Sequence, residues 1–430
     1  MRLQMIPPTR EPTKRLSVLM SAYACEPGKG SEPEVGWRWA LQMARFHDVT
    51  VLTRANNRKA IEASLPVATA LAGTLRFVYH DLSTAALYLK KHLPFSIWYY
   101  LAWQISARQT IRRLLDRDRY DLLHHVTYAA IRYSTAVSGH GIPTLWGPVG
   151  GSEETPWLLL EPRYPGPSLG EACRNLANRI AASGLGLLRR RAKRHTTVIA
   201  STRETQECLA RMGIESPLLT AIGLPATALP PARTSSNTLN LLYVGNMLFL
   251  KGLHLALHAL ADSGTTATFT LFGDGPFRSS LQQLATSLGL GSRVIFRGRQ
   301  PQEAVLAAYG EFDAFLFPSF HDSGAFAVLE AMSQGLPVIC LDRGGPALAV
   351  RPNCGWKITP RRRAQTIHDL AEAIRAADRD RKELALKGKA ARASVIQHYD
   401  WDVQGDAMNV IYHNSVNPVA IDPRREFLSP

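Results

Sequence analysis

The chain has 430 residues, 46% of them hydrophobic, so it can build two or three domains with full cores, which excludes a small disulfide-held scaffold. Its cysteines, Cys25, Cys173, Cys208, Cys340 and Cys354, are odd in number and never spaced C-x-x-C, which speaks against a disulfide framework or a zinc site and for a reducing cytoplasm. Fifty Lys and Arg against 35 Asp and Glu leave a net charge of +15, which calls for phosphate, anionic lipid or nucleic acid as a partner.

From the N-terminus, residues 1–28 carry charges and prolines where a signal peptide needs a continuous apolar core, so secretion is not expected. No unbroken apolar run reaches the roughly 18 residues of a membrane span. Strands are expected at 16–24, 48–54, 75–80, 120–128, 142–148 and 196–202, with helices between them. Between the first strand and first helix, "GKGSEPEVGW" (28–37) is a glycine-containing loop suited to an anion, with Gly30 and Ser31 as candidate contacts. It has neither the G-x-G-x-x-G nor the P-loop spacing. Residues 83–105 set Lys90, Lys91 and His92 beside Phe95, Trp98, Tyr99, Tyr100 and Trp103, which fits either a lipid interface or an aromatic-rich core helix. Basic clusters occupy 108–119, 187–195 and 351–363; without zinc-finger spacing or an RNA-recognition signature, no nucleic-acid partner is expected. His124 and His125 sit on a strand, where a structural role competes with one at a ligand.

The second half repeats the alternation, with strands expected at 240–246, 268–275, 293–298, 312–319 and 336–342. Such a pattern implies parallel sheets covered by helices on both faces. Residues 223–238, rich in Pro, Ser and Thr, read as a linker between domains at 14–222 and 239–394, with a closing segment at 395–415. The site is expected in the cleft between the domains, beyond the carboxyl ends of the strands. There "VGNMLFLKG" delivers Lys251 through a turn containing Gly245 and Asn246, and "FGDGP" offers Gly273 and Gly275 for close backbone approach. In "FHDSGAFAVLEAMSQGLPVIC" (320–340) Glu330 falls inside a helix that Gly335 closes, and Asp322 or Ser323 precedes its first turn as a candidate cap.

Taken in order, "VGNMLFLKG", "TLFGDGP", "RVIFRG", "FLFPS" and "DSGAFAVLEAMSQGLPVI" resemble the retaining glycosyltransferases of family four. "SAYACEPGKGSEPEVGW" and "PTLWGPVGGSEETP" resemble a branch of it often involved in bacterial surface polysaccharide assembly. The resemblance implies an α/β GT-B fold, two facing Rossmann-like doubly wound domains with a C-terminal helix crossing back to the first. It implies a cytoplasmic enzyme at the inner face of an anionic membrane, moving a sugar from a nucleoside-diphosphate donor to a glycan or lipid-linked glycan. Asp322 and Glu330 stand at the family's two acidic positions, the first for sugar hydroxyls and the second for the ribose. Lys251 would balance charge on the departing diphosphate. Backbone N–H groups around Ser323, Gly324, Ala325 and Phe326 would meet the donor, and Gly150, Arg297 and the strand histidines belong to the candidate substrate contacts. No metal or other cofactor is implied, and the D-x-D strings at 116–118 and 378–380 read as solvated helix surface. Three departures stand out: Asp322 where Glu is usual, Asn246 where Arg is usual, and no His closing the strand "IPTLW". A sugar-nucleotide epimerase or hydrolase, or a non-catalytic scaffold, remains open on the same fold.

Overall fold

The computed structural model describes residues 14–72, 75–92, 97–183, 195–225 and 238–417. The N-terminal sheet comprises β1 (Ser17–Ser21), β2 (Asp48–Thr53), β3 (Leu75–Tyr79), β4 (Leu122–His125), β5 (Thr144–Val149) and β6 (Thr196–Ala200). The C-terminal sheet comprises β7 (Asn240–Val244), β8 (Thr268–Phe272), β9 (Val294–Gly298), β10 (Ala314–Phe317), β11 (Val338–Leu341) and β12 (Gly355–Ile358). All pairings are parallel, and parallel neighbours require crossovers, which helices supply except between β4 and β5, where residues 126–143 form a helix-free loop. These are α1 (Ser31–Ala44), α2 (Arg58–Ala72), α3 (Thr84–His92), α4 (Ile97–Arg117), α5 (Pro165–Ala182) and α6 (Arg203–Arg211) in the first half. The second half has α7 (Leu253–Asp262), α8 (Arg278–Ser287), α9 (Gln302–Ala308), α10 (Phe326–Ser333), α11 (Gly344–Ala349), α12 (Arg363–Arg379), α13 (Arg381–His398) and α14 (Trp401–Val416).

Strand order is β3-β2-β1-β4-β5-β6 in one sheet and β12-β11-β10-β7-β8-β9 in the other, the same doubly wound plan twice. In each, winding reverses beside the first strand, between β1 and β4 and between β7 and β10, and the loops leaving those pairs diverge to open a crevice. Because both faces are covered, the central strands are apolar runs rather than alternating ones: β10 (AFLF) and β11 (VICL) are buried throughout.

The aromatic segment at 83–105 divides. Tyr99, Tyr100 and Trp103 of α4 are buried against Leu19, Leu52 and Leu123, so this part is a core helix rather than a lipid-facing one. On α3 no residue is buried, and Tyr88 and Leu89 are exposed. Phe95 lies outside the described residues, as do the basic residues 187–194, the linker residues 226–237 and the tail beyond Asn417. The basic segment 351–363 contains an unexpected strand: β12 pairs along β11 from Val338↔Gly355 to Leu341↔Ile358. Gly355 permits this, since a Cβ there would stand 2.0 Å from the Val338 carbonyl oxygen, and Lys357 points to Asp342 at 3.3 Å. In the D-x-D strings, Asp118 pairs with Arg76 at 2.7 Å and Asp380 accepts from the Lys382 and Glu383 N–H groups as the N-cap of α13.

The last helix returns to the first domain. Trp401 meets Trp39 edge-on at 5.4 Å, and Gln42 donates to Asp402 at 3.1 Å. Where the chain crosses back, Leu224 donates to Tyr399 O at 2.8 Å and Trp401 donates to Leu224 O at 3.1 Å, so the outgoing and returning strands of chain are bonded to each other. Away from this crossing, carboxylates of the first domain reach the second. Glu161 accepts from Arg363 Nε at 2.8 Å and lies 3.1 Å from His254 Nε2, and Glu171 lies 2.8 Å from His321 Nε2. Arg343 donates to Glu154 O at 2.7 Å, and Gly344 N–H to Glu204 at 2.8 Å. Burial works to raise the Glu161 carboxyl, yet His254 and Arg363 prevail and hold it below the usual range.

His124 is committed to the return of α14. Fully buried, it shares a 2.7 Å hydrogen bond between Nδ1 and the Tyr412 hydroxyl and a 2.8 Å one between Nε2 and Gly147 O, and burial lowers its pKa to about 4. Tyr412→Phe removes one partner from a buried ring and should lower unfolding free energy by about 1–3 kcal/mol in urea titrations, with a parallel loss at His124→Ala.

Candidate active site in the cleft between the domains

Loops leaving the two winding reversals face each other around a cavity of about 550 Å³. From the first domain come Glu32 at the start of α1, Tyr128 after β4 and Gly150 after β5; from the second come Asn246 and Lys251 after β7 and Asp322 to Phe326 after β10. The domains nearly touch at its floor, where a Cβ on Gly150 would stand 2.5 Å from the Ser323 hydroxyl.

Lys251 ends a 3-10 turn (Phe249–Lys251), and Gly252, at φ 66°, lets the chain enter α7 directly. No side chain fits at Gly252, because a Cβ would lie 2.1 Å from Pro318 O. This close packing of the β7 and β10 loops brings Lys251 Nζ to 2.5 Å from Asp322 Oδ2, with both side chains mostly buried. The other oxygen, Oδ1, accepts from Ala325 N–H at 2.9 Å. Asp322 thus closes the turn before α10 instead of capping the helix, and Ser323 does not cap it either: the N-cap position is Ala325, at φ 54°, with no side-chain bond. The first N–H groups of α10, at Phe326 and Ala327, therefore open on the cavity without a side-chain cap, and the positive end of the helix favours an anion there.

Glu330, one turn along α10, lines a neighbouring cavity of about 540 Å³ with Gly30, Gln302 and Gln334. Ser31 and Phe326 belong to both cavities. Tyr309 donates its hydroxyl to Glu330 Oε2 at 3.2 Å, and burial raises the carboxyl pKa despite that bond. Ser31, at φ 53°, and Gly30, at φ 68°, carry the β1–α1 loop over this end of the cleft.

Lys251, Asp322, Asn246, Gly245, Ser323, Gly324, Ala325, Phe326, Ser31 and Gly150 meet in the main cavity, with Glu330 and Gly30 beside it. Five expected contacts do not line either cavity. His124 is held as described, and His125 is 1% exposed, its Nε2 3.4 Å from the Tyr100 hydroxyl and its pKa lowered by burial to about 3. Gly273 and Gly275 serve chain packing: added Cβ atoms would meet Gly245 O at 2.0 Å and Met247 O at 2.4 Å, so the β8 loop nests on the β7 loop. Arg297 is exposed on β9. Residues absent from the sequence-based set also line the main cavity, Glu32 and Tyr128 among them. Glu32 accepts from Tyr128 N–H at 3.0 Å, and burial raises its carboxyl; Tyr128 itself is 42% exposed. Acidic residues in a first helical turn and aromatics in a loop are too common to single these two out.

Residues 231–393 match the family model described as glycosyl transferases group 1. The fold is GT-B. The Anabaena protein HepE, solved in complex with UDP, superposes on the chain with a TM-score of 0.60 at 19% identity, covering 93% of this chain and 100% of that one. Sulfoquinovosyl transferase SQD2 of Arabidopsis thaliana is 31% identical over 160 residues, which is 37% of this chain and 30% of that protein. The putative colanic acid biosynthesis glycosyltransferase WcaL of Escherichia coli K12 is 29% identical over 183 residues, 40% of this chain and 44% of that protein. The alignments therefore span less than half the length of either curated relative.

Within the GT-B cleft, Glu330 gives a signed pH prediction. Its folded pKa is raised, so the uncharged form fits the fold better, and the resulting stability is present below the unfolded carboxyl pKa and lost as pH rises through the folded value. Glu330→Gln should therefore raise the melting temperature at pH 8 and leave it unchanged at pH 4, measured by differential scanning calorimetry.

Proposed function

We propose that this protein is a metal-independent, retaining glycosyltransferase of the family-four kind. It moves a sugar from a nucleoside-diphosphate donor to a growing, lipid-linked glycan in surface polysaccharide assembly. The observation that carries this reading is the uncapped N-terminus of α10 set against Lys251 and Asp322 in a GT-B cleft. A diphosphate placed there meets backbone N–H donors, the positive helix end and one ammonium, and Glu330 lies one turn further along for ribose hydroxyls. The names of SQD2 and WcaL and the UDP in the HepE structure support the reading.

Both oxygens of Asp322 are engaged, one by Lys251 and one by Ala325 N–H, which suits a group that holds sugar hydroxyls better than a nucleophile. The step that fits is front-face substitution. The acceptor oxygen bonds to the anomeric carbon on the face from which the bond to the diphosphate oxygen breaks, and the acceptor proton passes to that departing oxygen. Lys251 and the α10 N–H groups stabilise the charge that grows on the diphosphate, so their contribution is electrostatic and positional. For the lipid side, α3 presents exposed Tyr88 and Leu89 beside Lys91 and His92, a composition suited to peripheral contact with an anionic membrane from the cytoplasm.

The test is a panel of UDP-glucose, UDP-galactose, UDP-N-acetylglucosamine and GDP-mannose, with membrane lipid extract and EDTA present. One sugar should appear in lipid with the anomeric configuration of its donor by proton NMR, and Lys251→Ala should cut kcat by about 10²–10³ while the circular dichroism spectrum is unchanged. Donor loss without incorporation would favour an epimerase or hydrolase; nucleotide binding without turnover would favour a scaffold.

A further inference from the structure

The first-domain wall of the main cavity differs in kind from the wall that faces it. Among the described lining residues, Lys251 is the sole cation, and it belongs to the second domain, where Asp322 already neutralises it. The opposite wall carries a carboxylate, Glu32, and two tyrosines, Tyr128 and Tyr133. Arg54 and Arg132 lie nearby but outside that wall, the first 4.3 Å over the Tyr23 ring and the second 5.7 Å from the Tyr133 ring centroid.

Tyr128 is held in an unfavourable backbone conformation. At φ 53° it occupies the left-handed region that bulky side chains avoid, at a cost of order 1–3 kcal/mol. Two bonds fix it there: its N–H donates to Glu32 Oε2 at 3.0 Å, and its carbonyl accepts from the Tyr100 hydroxyl at 3.1 Å. Edge-on contacts with Tyr23 at 5.4 Å and a tilted one with Tyr100 at 5.5 Å support the ring from behind, while 42% of the residue remains exposed toward the cavity. A strained, braced and exposed aromatic ring beside a carboxylate is poorly explained by packing, because burying the ring would stabilise the fold more.

Resting on the glycosyltransferase reading, we infer that Tyr128 and Glu32 form the subsite for the acceptor's terminal residue and that this residue is an uncharged sugar ring, not a phosphate or other anion. The apolar C–H face of a pyranose lies against an aromatic ring, and its hydroxyls donate to a carboxylate. Glu32 has Oε1 for that purpose, since its bond to Tyr128 uses Oε2. An anionic group at the same place meets no cation of its own wall to offset its desolvation, and the acceptor oxygens of Glu32 offer it no donor, so a neutral ring is favoured. The two walls thus sort charge, with the diphosphate at α10 and the neutral ring at Tyr128.

Saturation-transfer NMR on the full chain, with and without UDP, reads this directly. The neutral probes are methyl glucoside, methyl galactoside, methyl mannoside and methyl rhamnoside, and the anionic probe is glucose 6-phosphate. At least one neutral glycoside should show transfer to its apolar-face protons, and glucose 6-phosphate should not. Tyr128→Ala should weaken that glycoside about tenfold or more, Tyr128→Phe should restore it, and Glu32→Gln, which keeps an acceptor for the Tyr128 N–H, should weaken it about tenfold. UDP affinity should be unchanged in all three. Equal glycoside binding by Tyr128→Ala and the unaltered protein, no transfer to any neutral glycoside, or preference for glucose 6-phosphate each overturns the proposal. Failure of the unaltered protein to bind UDP or GDP strikes the donor reading instead, and the glycoside signal without UDP still decides this one.

Discussion

A parallel sheet wound in both directions from one strand leaves two neighbouring strands whose following loops turn toward opposite faces, and here that happens twice. The charged residues of the main cavity are placed by it. β1 and β4 supply Glu32 and Tyr128, while β7 and β10 supply Lys251 and the turn into α10. The loops lack freedom to adjust, because glycines bring backbone against backbone: Gly252 against Pro318, Gly273 against Gly245, Gly275 against Met247. Chemistry that demands placement within a fraction of an ångström is served by such contacts, since side-chain rotamers have little part in them.

Charge in the cleft is sparse and mostly spent. Lys251 neutralises Asp322, and Asn246 contributes no second cation, so much of the attraction for an anion comes from peptide dipoles at α10. That makes the uncapped helix end matter more than it would beside a pair of basic residues. The overall excess of basic residues is a property of the surface rather than of the site. Among the described residues it reaches the cavity only through Lys251 and, in the adjoining space, Lys29 and Arg38, which are paired with Glu26 and Glu34.

Much of this was legible in the sequence, for reasons that differ by element. Eleven strands were placed from apolar runs because strands buried on both faces cannot hide their composition. β12 leaves no such signal, because it is only four residues, opens with Gly355 and carries Lys357, a composition shared with basic surface. Lys251, Asp322 and Glu330 stand out by ordered spacing, and the fold sets Lys251 and Asp322 in one cavity with Glu330 in the next. A structural and a ligand role compete at His124 in the sequence because composition does not distinguish a polar group facing a cavity from one satisfied inside the fold; Tyr412, 288 residues away, decides the matter. Tyr128 was invisible because its distinction is a backbone angle and a pair of hydrogen bonds, neither of which leaves a mark on residue type.

The bonded crossing of Leu224 with Tyr399 and Trp401 makes the two domains behave as leaves of one door. The outgoing and returning chain segments share a single axis there, so relative movement is reduced to rotation about it. Away from the axis, three of the described latches pair a carboxylate of the first domain with an arginine, a histidine or a backbone N–H of the second, while Arg343 donates to a neutral carbonyl, Glu154 O, and Tyr164 packs on Phe249 and Phe277. Acid uncharges the carboxylate latches and salt weakens the more exposed of them, while the main-chain hydrogen bonds at the axis respond to neither. Ionic strength and pH therefore act on how wide the door stands, and leave its pivot where it is.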